Sequence, residues 1–413
     1  MTTITESERA LTTADPRRVQ VANDVIRSLK LPQTGIPVSD PATAETIAFI
    51  PDVDVDGALE SVRAANAAGA AWAKTTPRRR ADVLHAWWQL LVDHTEDLAH
   101  LITREMGKPL SEARGEVKYG TDFVRWYAEE AVRPVGNFRE APDGGADIIT
   151  RRAPVGLAVL ITPWNFPLAM ATRKIAPAIA AGCAAVVKPA TLTPLTTLFA
   201  VELAYRAGVP ADLVQVVTTS DSAAFSNAVL RDERVRKVSF TGSTPVGKQL
   251  MQLASENVLR SSMELGGNAP LVVFDDADLE RAVAGTLAAK LRNGGQSCIA
   301  ANRIYVQEGI ADDFVDALTA RLAGVAVGNG FGEGTVVGPL IDNHAVSQMA
   351  ALTEDAIAQG ATLRTGGFRY HAPGNFFAPT LLDHTPQAAR VAKTEIFGPI
   401  AAIQRFRTQQ EAV

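Results

Sequence analysis

Between about residue 157 and residue 274, short apolar runs alternate with helical stretches. The runs at 157–161, 184–187, 214–217, 238–240 and 271–274 are dominated by Val, Leu, Ile, Ala and Phe. Runs so short and so uniformly apolar suit strands buried on both faces, and helices between them imply parallel order. The pattern predicts a doubly wound α/β domain. After Leu271 a second α/β series begins, with a strand over 303–306 and a helix over 312–322. Upstream, Ala58, Val62, Ala65 and Trp72 mark one face of a helix that Asp56 can cap. Val83, Leu84, Trp87, Leu91, Leu98, Leu101 and Ile102 mark a second helix, stopped by Gly107 and Pro109. A third is expected over about 112–131, and 147–152 alternates like an exposed or edge strand. Residues 1–30 lack a sustained apolar period and read as a loose arm with one short helix.

Composition narrows the class without choosing within it. At 413 residues the chain exceeds what one compact core holds, so two or three domains are expected. Its 47% hydrophobic and 21% charged residues are ordinary for a soluble globular protein. A net charge of -5 leaves no basic footprint for nucleic acid. The one basic cluster, Arg78-Arg79-Arg80, opens an apparent helix and reads as a solvated face. Two cysteines far apart argue against a disulfide framework and fit a reducing, cytoplasmic setting. The first eighteen or so residues lack the apolar core of a secretory signal, and no stretch reaches the roughly 20 apolar residues of a membrane span. Neither nucleic acid nor membrane is an expected partner.

Two short segments carry candidate chemistry. Gly294-Gly-Gln-Ser-Cys298 holds a cysteine in a glycine-rich turn, sterically open to a carbonyl carbon. A free thiol is only about a few per cent ionised at neutral pH, so such a nucleophile needs a base or a positive field. In Met263-Glu-Leu-Gly-Gly-Asn268, Glu264 is expected at a helix end before two glycines that let backbone approach a ligand. Taken singly, Cys298 fits a structural cysteine and Glu264 a helix-end surface charge.

The joint pattern says more. Thr162-Pro-Trp-Asn-Phe-Pro167, Val187-Lys-Pro-Ala190, Phe240-Thr-Gly-Ser243, Glu264-Leu-Gly-Gly267, Gly295-Gln-Ser-Cys298 and Glu395-Ile-Phe-Gly-Pro399 stand in the order and at about the spacings of the aldehyde dehydrogenase superfamily. The chain resembles that family from about residue 35 onward. The resemblance implies an N-terminal arm at 1–30 and a nucleotide-binding domain at 31–132 and 154–263. It implies bridging or oligomerisation strands at 133–153 and an α/β catalytic domain at 264–413. It makes Cys298 the nucleophile, Glu264 the general base, and Asn165 with the Cys298 backbone N–H the oxyanion hole. Preorganised amide donors at such a site lower the barrier by about 3 kcal/mol each. On its own, Asn165 fits a satisfied turn residue between prolines equally well. A thioester would form on Cys298. Relatives that pass the acyl group to coenzyme A generally lack the glutamate, so its presence favours a free acid as product.

No Gly-x-Gly-x-x-Gly follows any strand, so the usual dinucleotide fingerprint is missing. By resemblance, Gly242, Ser243 and Gly247 present a helix N-terminus to the pyrophosphate. Lys188 contacts the adenosine ribose, Glu395 the nicotinamide ribose, and Trp164 and Phe397 complete the nucleotide site. Lys188 also fits a surface lysine, but ligands gather at the carboxyl ends of such strands. NAD-preferring relatives often carry glutamate where this chain has Thr191. A hydroxyl there removes repulsion toward a 2′-phosphate, so NADP is favoured and NAD allowed. Thr219-Ser220-Asp221-Ser222 departs from a glycine common in the family, which implies a different loop or weaker cofactor affinity.

For the substrate, Arg173 and Arg292 resemble the two arginines of succinate-semialdehyde dehydrogenases that hold the distal carboxylate. Each also fits a helix-surface arginine. The expected substrate is a small aldehyde, succinate semialdehyde or a similar ω-acid aldehyde such as glutarate semialdehyde. The alternatives are an uncharged or betaine-type aldehyde, or a nucleotide-binding relative that has lost catalysis. Ala300 stands where some relatives carry a second, redox-switching cysteine, so no local disulfide is expected; Cys183 reads as buried and structural. Relatives continue for many tens of residues beyond the Glu395–Phe397 motif. The chain is therefore expected to be a fragment of a longer product, with homo-oligomerisation belonging to the full-length protein.

Overall fold

The computed structural model describes residues 11–413. Helix α1 (Pro16–Ser28) precedes a small antiparallel pair, β1 (Ile36–Ser39) and β2 (Thr46–Ile50). Four helices follow: α2 (Val55–Trp72), α3 (Pro77–Asp93), α4 (Thr95–Met106) and α5 (Leu110–Glu130). An exposed hairpin of β3 (Asn137–Glu140) and β4 (Asp147–Thr150) leads into the first large sheet. There β5 (Leu157–Ile161), α6 (Ala169–Ala181), β6 (Ala185–Lys188), α7 (Leu195–Arg206) and β7 (Val214–Val216) run on to α8 (Ser222–Leu230), β8 (Val235–Gly242), α9 (Thr244–Glu256) and β9 (Arg260–Leu265). The strand order is β7-β6-β5-β8-β9, parallel at every pairing. The order reverses beside β5, the place where a doubly wound sheet opens its ligand crevice.

The second sheet holds β10 (Ala269–Val273), β11 (Ala301–Gln307), β12 (Thr362–Thr365), β13 (Thr380–Asp383) and β14 (Ile400–Phe406), in the order β10-β11-β14-β13-β12. Its first four strands are parallel and β12 closes it antiparallel. Helices α10 (Leu279–Leu291), α11 (Glu308–Ala323) and α12 (Asn343–Ala358) cover it. The α/β class follows the apolar pattern, but the run at 271–274 falls on β10 of the second sheet, and the first sheet's fifth strand is β9, whose polar residues give no apolar run. One hydrophobic core unites the first sheet with its helices, and two smaller cores flank the second. Every residue of β5 is buried, which is why that segment is apolar at each position.

Several local expectations change. Residues 1–10 lie outside the described part, but α1 is a packed helix, with Ala22, Val25 and Ile26 buried, so the stretch to residue 30 is not simply a loose arm. Asp15 caps it and Pro16 opens it. Asp54, not Asp56, caps α2, because its side chain accepts from the Gly57 N–H. The single long helix expected through Ile102 is two, broken at His94. Gly107 then ends α4 in the left-handed conformation. Arg80 is buried, turned toward Gly182, so the Arg triplet is not wholly a solvated face. Glu264 lies on strand β9 rather than at a helix end; the alternation of Arg260–Leu265 is polar because this strand is an exposed sheet edge.

The helical layer is pinned by Trp87, fully buried, whose Nε1 donates to the Ala200 carbonyl at 2.9 Å. Trp87→Ala should destabilise the fold by about 3–5 kcal/mol, read as a lowered midpoint in chemical denaturation. A shift below about 1 kcal/mol would show that the layer repacks freely.

Candidate active site

A cavity of about 1240 Å³ runs across the carboxyl edge of the first sheet to the start of the second. Most of the residues singled out in the sequence line it: Cys298, Glu264 and Asn165; Lys188, Thr191, Trp164, Gly242, Ser243, Glu395 and Phe397; Arg173 and Arg292. Gly247 does not. Its N–H donates to the Ser243 carbonyl, and a Cβ there would meet Leu265 at 2.5 Å. That glycine lets α9 pack closely on Leu265 of β9.

The thiol end is built from an irregular turn. After α10, Asn293, Gly294 and Gly295 all adopt positive φ, at 57°, 61° and 78°. A Cβ on Gly295 would lie 2.2 Å from the Gly398 carbonyl, so only glycine lets the turn meet the segment carrying Glu395 and Phe397. Phe397 itself sits at φ 56° and packs edge-on against Trp164, ring centroids 5.4 Å apart. Such a conformation in a non-glycine residue persists only where surroundings over-determine it. Asn165 Nδ2 donates to the Gln296 carbonyl at 3.1 Å and retains a second N–H. The Asn165 carbonyl in turn accepts from Asn293 Nδ2 at 3.1 Å.

Cys298 is exposed to the cavity, whereas Cys183 is buried. Burial raises the Cys298 thiol above its ordinary value, the Glu395 carboxylate adds to this, and Glu264 pushes the same way. Its own backbone N–H and Arg173 act in the opposite direction but are outweighed. Of the two routes to activation, a base or a positive field, the field is not what the thiol meets. The Glu264 carboxylate lines the same space.

Burial also raises Glu395, against the Gly267 N–H and Lys290, which hold it down. Its Oε1 is buried without a partner, and so is Thr241 Oγ1. Helix α9 starts at Ser243 with no side-chain cap, leaving its first N–H groups free of a side-chain acceptor. Lys188 is 5% exposed, not a surface lysine, and burial draws its pKa down. An open helix start, a buried lysine at a strand end and an unpartnered carboxylate oxygen fit a nucleotide's phosphates and ribose hydroxyls.

At the opposite end, Arg173 lies over Phe123 at 5.0 Å and Arg292 over Phe166 at 5.2 Å. Among the described residues neither forms a salt bridge to a carboxylate. Sequence reasoning missed Tyr119, Asn227 and Lys174, and named Ser222 only within the departing loop 219–222. Tyr119 stands on the helical layer, and Ser222 and Asn227 on α8; all three line the cavity, and no motif marks them. Lys174 is buried beside Ser239, Nζ to Oγ 3.0 Å, with its pKa drawn down to about 8 by burial and Arg173. Ser222 also shows that the departing loop 219–222 still reaches the cavity.

No described helix is long and apolar enough to cross a membrane. The model of the aldehyde dehydrogenase family matches residues 29–413. The chain is 49% identical to a succinate-semialdehyde dehydrogenase of Paenarthrobacter nicotinovorans, over 89% of this chain and 82% of that protein. It is 46% identical to a glutarate-semialdehyde dehydrogenase of Pseudomonas putida, over 92% and 78%. The crystal structure of an Escherichia coli NADP-dependent enzyme, 44% identical, superposes with a TM-score of 0.90 over 92% of this chain and 78% of that one. The chain belongs to the aldehyde dehydrogenase family and is an NAD(P)-dependent aldehyde dehydrogenase.

Proposed function

We propose that the chain oxidises succinate semialdehyde, or a similarly short carboxylate-bearing aldehyde, to the free acid, with NADP preferred to NAD. The observation that carries this is the pairing of an accessible thiol with two arginines in one cavity, neither of which forms a salt bridge among the described residues. Two guanidinium groups hold a carboxylate through charge-assisted bonds worth about 1.5–3 kcal/mol each. The names of the succinate- and glutarate-semialdehyde relatives support the same class.

In this reading Cys298 Sγ bonds to the aldehyde carbon while its proton passes to Glu264. The carbonyl electron pair moves onto oxygen, held by Asn165 Nδ2 and the Cys298 N–H. Bound NAD(P) supplies the hydride acceptor. Loss of the aldehyde hydrogen as hydride re-forms the carbonyl and leaves a thioester on Cys298. Glu264, having released the thiol's proton to solvent, takes a proton from the water that attacks the thioester, and Cys298 leaves as the thiol with that proton, giving the free acid. Lys188 and Thr191 hold the adenosine ribose, Glu395 the nicotinamide ribose, and the start of α9 the pyrophosphate. The β3–β4 hairpin, with Phe138 and Ile149 exposed and paired, supports association of copies through that surface.

Three measurements test this reading. Arg292→Ala and Arg173→Ala should each lower kcat/KM for succinate semialdehyde roughly ten- to a hundred-fold, with kcat/KM for butanal nearly unchanged. A wild-type enzyme that prefers butanal would overturn the carboxylate clamp. Thr191→Glu should raise KM for NADP at least about tenfold and spare NAD, because it places a carboxylate against the 2′-phosphate; equal effects on both cofactors would sink the assignment. Iodoacetamide labelling of Cys298 in the free protein should rise with pH to a midpoint above the ordinary thiol value, since burial and the Glu395 carboxylate disfavour the thiolate. Glu395→Gln should move that midpoint down. A wild-type midpoint in the neutral range contradicts it.

A further inference from the structure

Lys108 and Glu116 form a fully buried ion pair, Nζ to Oε2 2.7 Å, which the reaction as described does not use. A buried pair is weak evidence of stabilisation, because desolvation offsets its attraction and apolar replacements are often neutral. What the two ends touch is therefore informative. Lys108 Nζ also donates to the Asn165 carbonyl at 2.8 Å and sits 3.9 Å from the centroid of the Phe166 ring. Glu116 Oε1 accepts from the Leu168 and Ala169 N–H groups, at 2.9 and 3.3 Å. Those amides open α6, whose start has no side-chain cap of its own. One ion pair thus grips 165–169 at both ends, Lys108 from the turn before α5 and Glu116 from α5 itself, which packs so closely that a Cβ on Gly120 would meet Ala169 Cα at 3.2 Å.

We infer that Lys108 and Glu116 are positioning residues, whose ion pair sets the Asn165 amide against the forming oxyanion by fixing the backbone of 165–169. This rests on the role proposed above for Asn165. The direction of an asparagine amide follows its own backbone. Without Lys108 the Asn165 carbonyl keeps only Asn293 as a named donor. Without the Glu116 charge the two N–H groups that open α6 keep only a neutral acceptor, and Lys108 loses its counter-ion. A donor displaced by about 1 Å costs roughly a hundredfold in rate, so a remote pair can govern turnover while touching no substrate.

The test uses p-nitrophenyl acetate hydrolysis, which moves no hydride and requires no cofactor. Cys298 Sγ bonds to the ester carbonyl carbon, p-nitrophenolate leaves, and water cleaves the acetyl thioester, regenerating thiol and releasing acetate. Asn165→Ala should lower turnover roughly a hundredfold. Glu116→Gln should lower it roughly ten- to a hundred-fold with KM for the ester and NADPH binding, read by fluorescence, little changed. The double variant should be no slower than Asn165→Ala alone, the signature of residues acting through one group. Wild-type turnover in Glu116→Gln, or losses that multiply in the double variant, would overturn the inference while leaving Asn165 in its role. Wild-type turnover in Asn165→Ala removes that role and the inference with it. Should Glu116→Gln not fold, Lys108→Met is read in the same cycle with the same outcomes.

Discussion

Two donors from different parts of the chain reach the carbonyl oxygen of Asn165: Lys108 Nζ at 2.8 Å and Asn293 Nδ2 at 3.1 Å. The side chain of the same residue donates to the Gln296 carbonyl. Lys108 belongs to the helical layer of the first sheet, and Asn293 and Gln296 to the turn that ends at Cys298. Backbone polar groups buried this deeply must find partners, so the two parts of the molecule are fastened by bonds they cannot easily forgo. Glu112 adds another tie, accepting the Asn293 N–H at 2.7 Å. The turn has three consecutive positive-φ residues and no regular structure of its own. Its shape, and with it the thiol's location, is held from outside.

The same fastening crowds charge into a dry region. Lys290 is wholly buried, bonded to Asn302 Oδ1 at 3.1 Å and steadied by Glu395, yet burial still draws its pKa down to about 7. Glu105 is pushed to about 8 while its carboxylate bonds the Leu195 and Thr196 N–H groups. Low dielectric raises the cost of each lone charge and the strength of each pair. For Cys298 the balance falls on the side of the neutral thiol. A thiol kept protonated at rest is a poor target for oxidation and for stray electrophiles, since the thiolate is the reactive form. Reactivity then depends on transferring that proton to a base in the same cavity.

Much of this was legible in the chain. Buried parallel strands write themselves as unbroken apolar runs, and β5 and β6 are buried at every position. Motif order named the cavity residues, because each motif sits at a strand end or turn that faces the crevice. What escaped had physical reasons. Strand β9 is an edge with a polar alternation, so Glu264 looked like a helix terminus. The break at His94 left the apolar period of α3 and α4 almost unbroken. Arg80 is a buried cation, and sequence alone assigns such a residue to the surface because most of them lie there. The sign of the field at Cys298 depends on Glu395, nearly a hundred residues away, and no local spacing encodes it.

The glycines bear most directly on how the motifs belong together. Those after Glu264 suggest, in sequence, a backbone bared for a ligand. In the fold a Cβ on Gly266 would lie 2.0 Å from Glu395 Oε2, and one on Gly398 would lie 2.2 Å from Met349 Sδ. Gly295 meets Gly398 in the same way. The bare Cα atoms of Gly266, Gly295 and Gly398, though not that of Gly267, are therefore seats for other parts of the chain, and the Glu264, Cys298 and Glu395 segments are three sides of one close contact. Close contact is what brings a thiol and two carboxylates into one cavity with little room to drift. Had the glycines served ligand approach alone, a methyl group would obstruct only binding. Here it would push apart the segments that make the site.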